Sequence, residues 1–302
     1  MIERWDLFQL DRNHSEASAF TAHLKYVLER DGAKVRVHHR LIEPIRDFAL
    51  ITAIRPVQMT ELFETIQELK IPIMVHGTWS LRRDVILATE ESALLATRAD
   101  IIDRAVKMGS KTAKKCILPY ANCGSPKGRH EHRAVFANWI NLTQGADWAL
   151  GANHVLDEAK RIHFYGVLKH RFLREETMGP LDDLYHGEFP FINGASIAAK
   201  GEFFVHTPHF GEERPEGYLT YPALWAWDAR RPLICRKTIQ GTELPRAACC
   251  IARSKIDLST IIDNGVMAIE DLEHMINFGK AIADEHGEAD YVLPAYRDSC
   301  AR

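Results

Sequence analysis

The sequence predicts an α/β protein built of two Rossmann-like domains facing a cleft. Its 302 residues are too many for one ordinary hydrophobic core, and they suit two domains of about 150 residues each. In the first half, apolar strand-like runs alternate with segments whose apolar residues recur at helical spacing, which is typical of a parallel sheet flanked by helices. We expect one domain over residues 1–150, a second over 151–285, and a tail over 286–302.

Composition narrows the classes of function. No run of 18 or more apolar residues occurs, so we expect no membrane-spanning segment, and the first residues lack the pattern of a secretory signal. The six cysteines include no Cys-x-x-Cys pair, which predicts reduced thiols and a cytoplasmic location. Residues 1–150 carry 21 Lys+Arg and 18 Asp+Glu, whereas residues 151–302 carry 17 and 23. The mildly basic first half favours an acidic ligand.

The first half reads as four strands and two helices. Ligands of such sheets bind beyond the carboxyl ends of the strands. Two candidate sites therefore follow strands, at Asn13–Glu16 after the first strand and at His76–Thr78 after the fourth. The predicted strands cover residues 5–12, 35–37, 48–54 and 71–76, and the predicted helices cover 20–28 and 59–69.

The later segments continue the alternation. Residues 99–106 and 116–119 are predicted to be short strands, and residues 136–160 a helical segment that bridges the domains. Further strands are expected at 161–165, 189–194, 203–208 and 233–235, an apolar helix before Arg230, and amphipathic helices from Asp257 onward.

Two stretches resemble the GT-B glycosyltransferases. Residues 23–37 (HLKYVLERDGAKVRV) are similar to the first helix and second strand of the acceptor domain in that family. Glu216-Gly217-Tyr218, followed by an apolar helix and strand, is similar to the family's acid-Gly-aromatic donor segment. The chain departs from the pattern where Trp225 replaces a second glutamate and where Asn13–Glu16 replaces a pair of glycines.

The resemblance assigns donor-binding roles in the second half. Gly166 would allow a tight turn after a strand, and the cations that follow it could neutralise a diphosphate. Glu213 and Glu216 would orient the sugar, with Gly217 and Tyr218 beside it, and His76 would face the sugar from the first domain. The cations in question are Lys169, Arg171 and Arg174.

Some of these residues also have a purely structural interpretation. His76 could be a structural residue whose ring bonds to the backbone. For Trp225 and Trp227 we favour simple helix packing. His130 and His132 could suggest a metal, but no third ligand is evident in the sequence, and GT-B enzymes generally need no metal, so no tightly bound metal is expected.

The implied reaction moves a sugar from a nucleotide diphosphate sugar, expected to be a UDP-sugar, to a hydroxyl group. If the reaction inverts the anomeric carbon, the first domain must supply a general base, and the candidates are Asp11, Glu16, His76 and Asp100.

The acceptor stays open at this stage. A basic stretch over residues 104–133 fits a bacteriophage enzyme that glycosylates a hydroxylated base in DNA, although basic stretches are more often only solvated surface. A polysaccharide or lipid acceptor is one alternative, and a non-catalytic nucleotide- or nucleic-acid-binding protein is another. Residues assigned to the acceptor are Asn13, His14, Ser15, Lys127 and Arg129.

Overall fold

The computed structural model describes most of the chain as two compact units. The first unit is Met1–Ala121 with Glu285–Arg302, and the second is Asn122–Asp284. The residues described are 2–11, 15–44, 46–77, 80–122, 130–137, 146–167, 181, 183–207, 219–236, 245–265 and 269–302.

The first unit contains a parallel sheet in the order β2-β1-β3-β4-β5-β6. Its strands are β1 (Arg4–Gln9), β2 (Lys34–His38), β3 (Phe48–Ala53), β4 (Ile73–Met74), β5 (Leu94–Ala96) and β6 (Ala113–Lys115). The connecting helices are α1 (Ser15–Arg30), α2 (Pro56–Leu69), α3 (Arg83–Ala88) and α4 (Ala99–Lys107).

Local contacts fix where helix α2 begins and ends. Pro56 occupies the first turn, where its missing N–H costs no hydrogen bond. The Gln58 side chain accepts a hydrogen bond from the Arg55 backbone N–H at 3.0 Å, and its amide donates to the Leu10 carbonyl at 3.1 Å. The helix ends at Lys70, which is left-handed with φ 49°. These contacts attach the start of α2 to the ends of β1 and β3.

The second unit contains a parallel sheet in the order β11-β10-β9-β7-β8. Its strands are β7 (His132–Ala137), β8 (Ile162–Tyr165), β9 (Gly201–His206), β10 (Leu233–Arg236) and β11 (Cys250–Ala252). The helices of the second half of the chain are α5 (Ala146–Asn153), α6 (Gly194–Ala198), α7 (Tyr221–Asp228), α8 (Lys255–Asn264), α9 (Ile269–Glu285), α10 (Ala289–Val292) and α11 (Pro294–Cys300).

Helix α7 lies in the core of the second unit, and every one of its residues is buried. Trp225 packs edge-on against Phe189, with ring centroids 5.5 Å apart, and Trp227 donates to the Ala248 carbonyl at 2.8 Å. A Cβ at Gly194 would lie 2.1 Å from the Trp225 ring, so only glycine fits there. The two tryptophans are packing residues, as the sequence interpretation favoured.

Three predicted elements are wrong. Residues 99–106 form α4 rather than a strand, because Ile101 and Ala105 bury one helical face while Arg104 and Lys107 complement the dipole at its end. Residues 189–194 are not a strand either, since a 3₁₀ turn over Phe191–Asn193 leads directly into α6. Residues 116–119 are not a strand, because β6 ends at Lys115.

The division between the units lies earlier than residue 150. Residues 132–137 form β7, which pairs with both β8 and β9. The sequence had instead predicted that the bridging helix begins at residue 136. A central strand of the second sheet cannot belong to the first unit, so the observed division falls between Ala121 and Asn122.

The C-terminal residues 285–302 belong to the first unit. The Tyr296 hydroxyl donates to the Ile117 carbonyl at 2.7 Å, and Arg297 Nε donates to Glu3 at 2.8 Å. Among the described helices, none is both long enough and apolar enough to cross a membrane.

Candidate functional site

In the first unit, the carboxyl ends of β3 and β4, together with α1 and α3, line a pocket. About 320 Å³ of space there is free of protein atoms, including space open to solvent. Its lining includes Ala17 of α1, Ile54 after β3, and Val75, His76 and Ser80 after β4. This edge is where parallel α/β sheets bind their ligands.

His76 lines this pocket and is 8% exposed. Its Nε2 lies 2.7 Å from the Thr52 carbonyl oxygen, and its ring meets the Phe20 ring edge-on at 5.0 Å. A carbonyl can only accept, so Nε2 of His76 carries a proton and donates it to Thr52. The backbone bond expected of a structural histidine is therefore present, and it fixes the orientation of a ring on the pocket wall.

Asp11 and Arg55 meet at the same edge. Arg55 Nε donates to Asp11 Oδ1 at 2.8 Å, which joins the second residue after β1 to the residue that precedes α2. Asp11 is buried and Arg55 is about half exposed. The sequence interpretation named Asp11 as a candidate base and missed Arg55, whose only signal was a basic residue directly after a buried strand.

The other candidate bases have different surroundings. Asp100 forms a bidentate pair with the buried Arg98 at 2.9 and 2.6 Å, in the first turn of α4. Glu16 is the second residue of α1, after Ser15, which the sequence assigns to the acceptor. Among the base candidates whose side chains are described, His76 lines the pocket.

In the second unit, Gly166 follows β8 with φ 126°, a conformation that residues with a Cβ rarely adopt. Its N–H donates to the Gly187 carbonyl at 2.9 Å, and its own carbonyl accepts from the Tyr185 hydroxyl at 2.7 Å. The sequence-predicted turn after this strand is therefore present, and neighbouring groups hold it from both sides.

The end of β9 and the start of α7 are tied together. His206 Nε2 lies 3.0 Å from the Thr220 hydroxyl, and Thr220 directly precedes α7. Burial lowers the pKa of His206 to about 3, so the ring is neutral at pH 7. This bond joins the two flanks of the segment that contains Glu213 and Glu216.

Arg236 was missed by the sequence interpretation. It is the last residue of β10, and its guanidinium lies 5.7 Å from the centroid of the Trp148 ring. It places a cation at the carboxyl end of the second sheet, and a basic residue closing an apolar strand was the available signal.

The basic stretch 104–133 is divided between the two units. Arg104 to Lys115 belong to the first unit, whereas Arg133 belongs to the second, where it pairs with Glu202.

Several predicted site residues lie outside the residues that the structure describes. They are Asn13, His14, Lys127, Arg129, Lys169, Arg171, Arg174, Glu213, Glu216, Gly217 and Tyr218.

A cluster of histidines in the second unit was also missed. His132 opens β7, His163 lies in β8, and His186 follows the residue that bridges to β8. One ring nitrogen of each lies within 4.8 Å of the others. Only His132 stood out in the sequence, because its partners are 31 and 54 residues away along the chain.

The sequence matches no protein-family model and no curated protein. Solved structures, in contrast, resemble the chain over nearly its whole length. Anabaena HepE in complex with UDP-glucose aligns with a TM-score of 0.68 at 10% identity, over 98% of each chain. An alpha-glucosyltransferase in complex with UDP and a 13-mer DNA containing an HMU base aligns with a TM-score of 0.69 at 9% identity, over 99% of each chain.

The chain has the GT-B fold. A glycosyltransferase from Rickettsia africae aligns in the same way, with a TM-score of 0.65 at 8% identity over 98% of each chain. The two Rossmann-like sheets expected from the sequence are thus confirmed.

The buried histidines predict a pH-dependent stability. Burial lowers the pKa of His23 and of His206 to about 3 in the folded protein, against about 6.5 when unfolded. The unfolded chain therefore takes up protons that the folded chain does not. We expect the free energy of unfolding to fall as the pH decreases from about 6.5 towards 3, by about 2 kcal/mol per ring between pH 7 and pH 5.

Urea denaturation of His206→Gln at pH 7 and pH 5 measures this contribution. The variant should lose less stability between the two pH values than the unaltered protein. His154→Gln, which replaces an exposed histidine of the same unit, is the control and should lose as much as the unaltered protein. An equal loss in His206→Gln would contradict the assignment.

Proposed function

We propose that this chain is a glycosyltransferase that moves a sugar from a UDP-sugar to a hydroxyl acceptor. The observation that carries the proposal is the alignment of nearly the whole chain with structures that hold UDP or UDP-glucose. The polar groups at the carboxyl edges of both sheets support it, since these are the edges where such folds bind ligands.

The donor would be held by the second unit. The turn at Gly166 leads into the segment with Lys169, Arg171 and Arg174, whose charges would offset that of the leaving diphosphate. Glu213 and Glu216 lie in the segment flanked by His206 and Thr220, and they would bind the hydroxyls of the sugar. Gly217 and Tyr218 would complete the donor site.

The first unit would act on the sugar and the acceptor. His76 lines the pocket with its Nε2–H bonded to the Thr52 carbonyl, and its ring would face the transferred sugar. The Asp11–Arg55 pair beside it would keep the rim of the pocket in place. A reaction of this kind gains most from orienting the sugar and stabilising charge on the leaving group.

DNA is the acceptor that we favour, with a hydroxylated base as the site of transfer. The chain would then be a bacteriophage enzyme that modifies DNA and acts in the host cytoplasm. One structural neighbour is bound to DNA with an HMU base, and another is bound to DNA with an abasic site. Lys127 and Arg129 would contact phosphates, and Asn13, His14 and Ser15 would lie near the base. A polysaccharide or lipid hydroxyl remains the competing acceptor.

Replacing His76 should lower turnover more than donor affinity. His76→Gln keeps an N–H that can reach the Thr52 carbonyl but removes the imidazole ring that would face the sugar, so kcat should fall about 10²-fold. The measurement is UDP release from UDP-glucose with and without acceptor, alongside calorimetric donor binding. His39→Gln, at an exposed position of the same unit, is the control. Full turnover in His76→Gln would leave this ring a structural role only.

Removing two donor-side cations should weaken donor binding. We expect Lys169→Ala with Arg171→Ala to raise the Kd for UDP-glucose at least about tenfold, because the diphosphate loses two charged partners. Lys34→Ala with Arg40→Ala removes the same charge from exposed positions of the first unit and should leave the Kd unchanged. An unchanged Kd in the first pair, measured by calorimetry, would move the phosphate site elsewhere.

Charge reversal tests the DNA acceptor. Lys127→Glu with Arg129→Glu should weaken DNA retention in gel shifts and lower the salt slope by about 2, since each lost phosphate contact removes about one counterion. Lys34→Glu with Arg40→Glu is the matched control. Retention and slope equal to those of the control would point to a polysaccharide or lipid acceptor. A chain that binds UDP-glucose yet neither hydrolyses nor transfers it would instead be a non-catalytic binding protein.

A further inference from the structure

Three histidines meet on neighbouring main-chain segments of the second unit. His163 Nδ1 lies 2.8 Å from His186 Nε2, and the rings of His132 and His163 stack with centroids 3.8 Å apart. Each histidine places one ring nitrogen within 4.8 Å of the others. The proposed sugar transfer uses none of these side chains.

We propose that His132, His163 and His186 bind a divalent transition metal ion, with Zn²⁺ as the expected occupant. Imidazole nitrogens are preferred ligands of Zn²⁺, and three of them leave a fourth position for water. Alternating residues such as His130 and His132 gave no metal site in the sequence, but the fold supplies two further ligands from distant segments.

The separations of the ligand atoms fit a small ion. Zn–N bonds of about 2.1 Å in a tetrahedral site place the nitrogens about 3.4 Å apart. One ring nitrogen of each histidine lies within 4.8 Å of the others. His163 Nδ1 and His186 Nε2 are at a hydrogen-bond distance of 2.8 Å, so an ion would replace the proton between them and move these nitrogens apart by about 0.6 Å. The His132 and His163 ring planes differ by 16°, so a rotation of one ring about its Cβ–Cγ bond is needed for both lone pairs to face the ion.

The main chain of each ligand is already fixed. His132 and His163 belong to paired strands, and the His132 N–H donates to the Lys200 carbonyl at 2.9 Å. The His186 N–H donates to the Phe164 carbonyl at 2.9 Å. Because the main chain is fixed, ion binding would restrict only the rotation of the three side chains, which lowers its entropic cost.

A tyrosine hydroxyl and an ion pair lie beside the proposed ligands. His132 Nε2 lies 2.9 Å from the Tyr165 hydroxyl, so this histidine can ligate through Nδ1 while its Nε2–H donates to the tyrosine oxygen. The Glu131 carboxylate lies near His132 and is paired with Lys200 at 2.7 Å, so the charge of the lysine offsets that of the carboxylate.

The three proposed ligands are not residues of the proposed donor site, although His186 lies between Tyr185 and Gly187, which both bond to Gly166. His132 is the first residue of β7 and lies at its amino end, whereas ligands of parallel sheets bind beyond the carboxyl ends. We therefore assign the ion a structural role within the second unit.

The test is metal binding by the full chain after removal of metal with a chelator. Calorimetry with Zn²⁺ should give one ion per chain with a Kd in the micromolar range or tighter, and Co²⁺ should give the intense visible absorption of a tetrahedral complex. His163→Ala and His186→Ala should each weaken binding at least tenfold and abolish the Co²⁺ absorption. His154→Ala and His274→Ala, both at exposed positions of the second unit, should change neither.

Thermal melting with and without Zn²⁺ provides a second measurement in case an alanine variant folds poorly. Zn²⁺ should raise the Tm of the unaltered protein, and His163→Gln, which retains a polar side chain of similar size, should show no such rise. The proposal is overturned if the unaltered protein binds Zn²⁺ no more tightly than His163→Ala, or if its Co²⁺ complex lacks the tetrahedral absorption. Either result would leave the three rings as a stacked, metal-free cluster.

Discussion

Parallel pairing of every strand in both sheets is the constraint on which the candidate site depends. Each crossover returns the chain to the same end of the sheet, so all carboxyl ends lie along one edge. Asp11 meets Arg55 and His76 meets Thr52 across separate segments, because β1, β3 and β4 are neighbours. Hydrogen bonds of the ladder thus position groups that share no local sequence pattern.

At these edges, single polar contacts fix where each connecting segment begins. His76 bonds to the carbonyl of Thr52, Gly166 is held by Tyr185 and Gly187, and His206 bonds to Thr220. Such contacts reduce the entropy that a ligand must remove when it orders the segments that follow. For sugar transfer, in which orientation and electrostatic stabilisation dominate, this rigidity would contribute directly to rate.

The proposed metal site and the proposed donor turn share one segment of the second unit. Tyr185 and Gly187 both bond to Gly166, and His186 between them is a proposed ligand. An ion on His186 would therefore restrain the same stretch that supports the donor turn. The two proposals nevertheless rest on different observations, one on ring geometry and the other on fold and strand ends.

The sequence by itself determined the α/β class, the two sheets, most strands of the first unit, and the packing role of Trp225 and Trp227, because these follow from local apolar periodicity. It also placed His76 and Gly166 at strand ends. Periodicity failed for residues 99–106, where five apolar positions fit a short strand as well as a helix. It also failed for β7, whose place in the second sheet depends on partners far away in the chain. Only the tertiary structure decided the Arg55–Asp11 pair and the union of His132, His163 and His186, since strand order brings together residues that lie far apart in the chain.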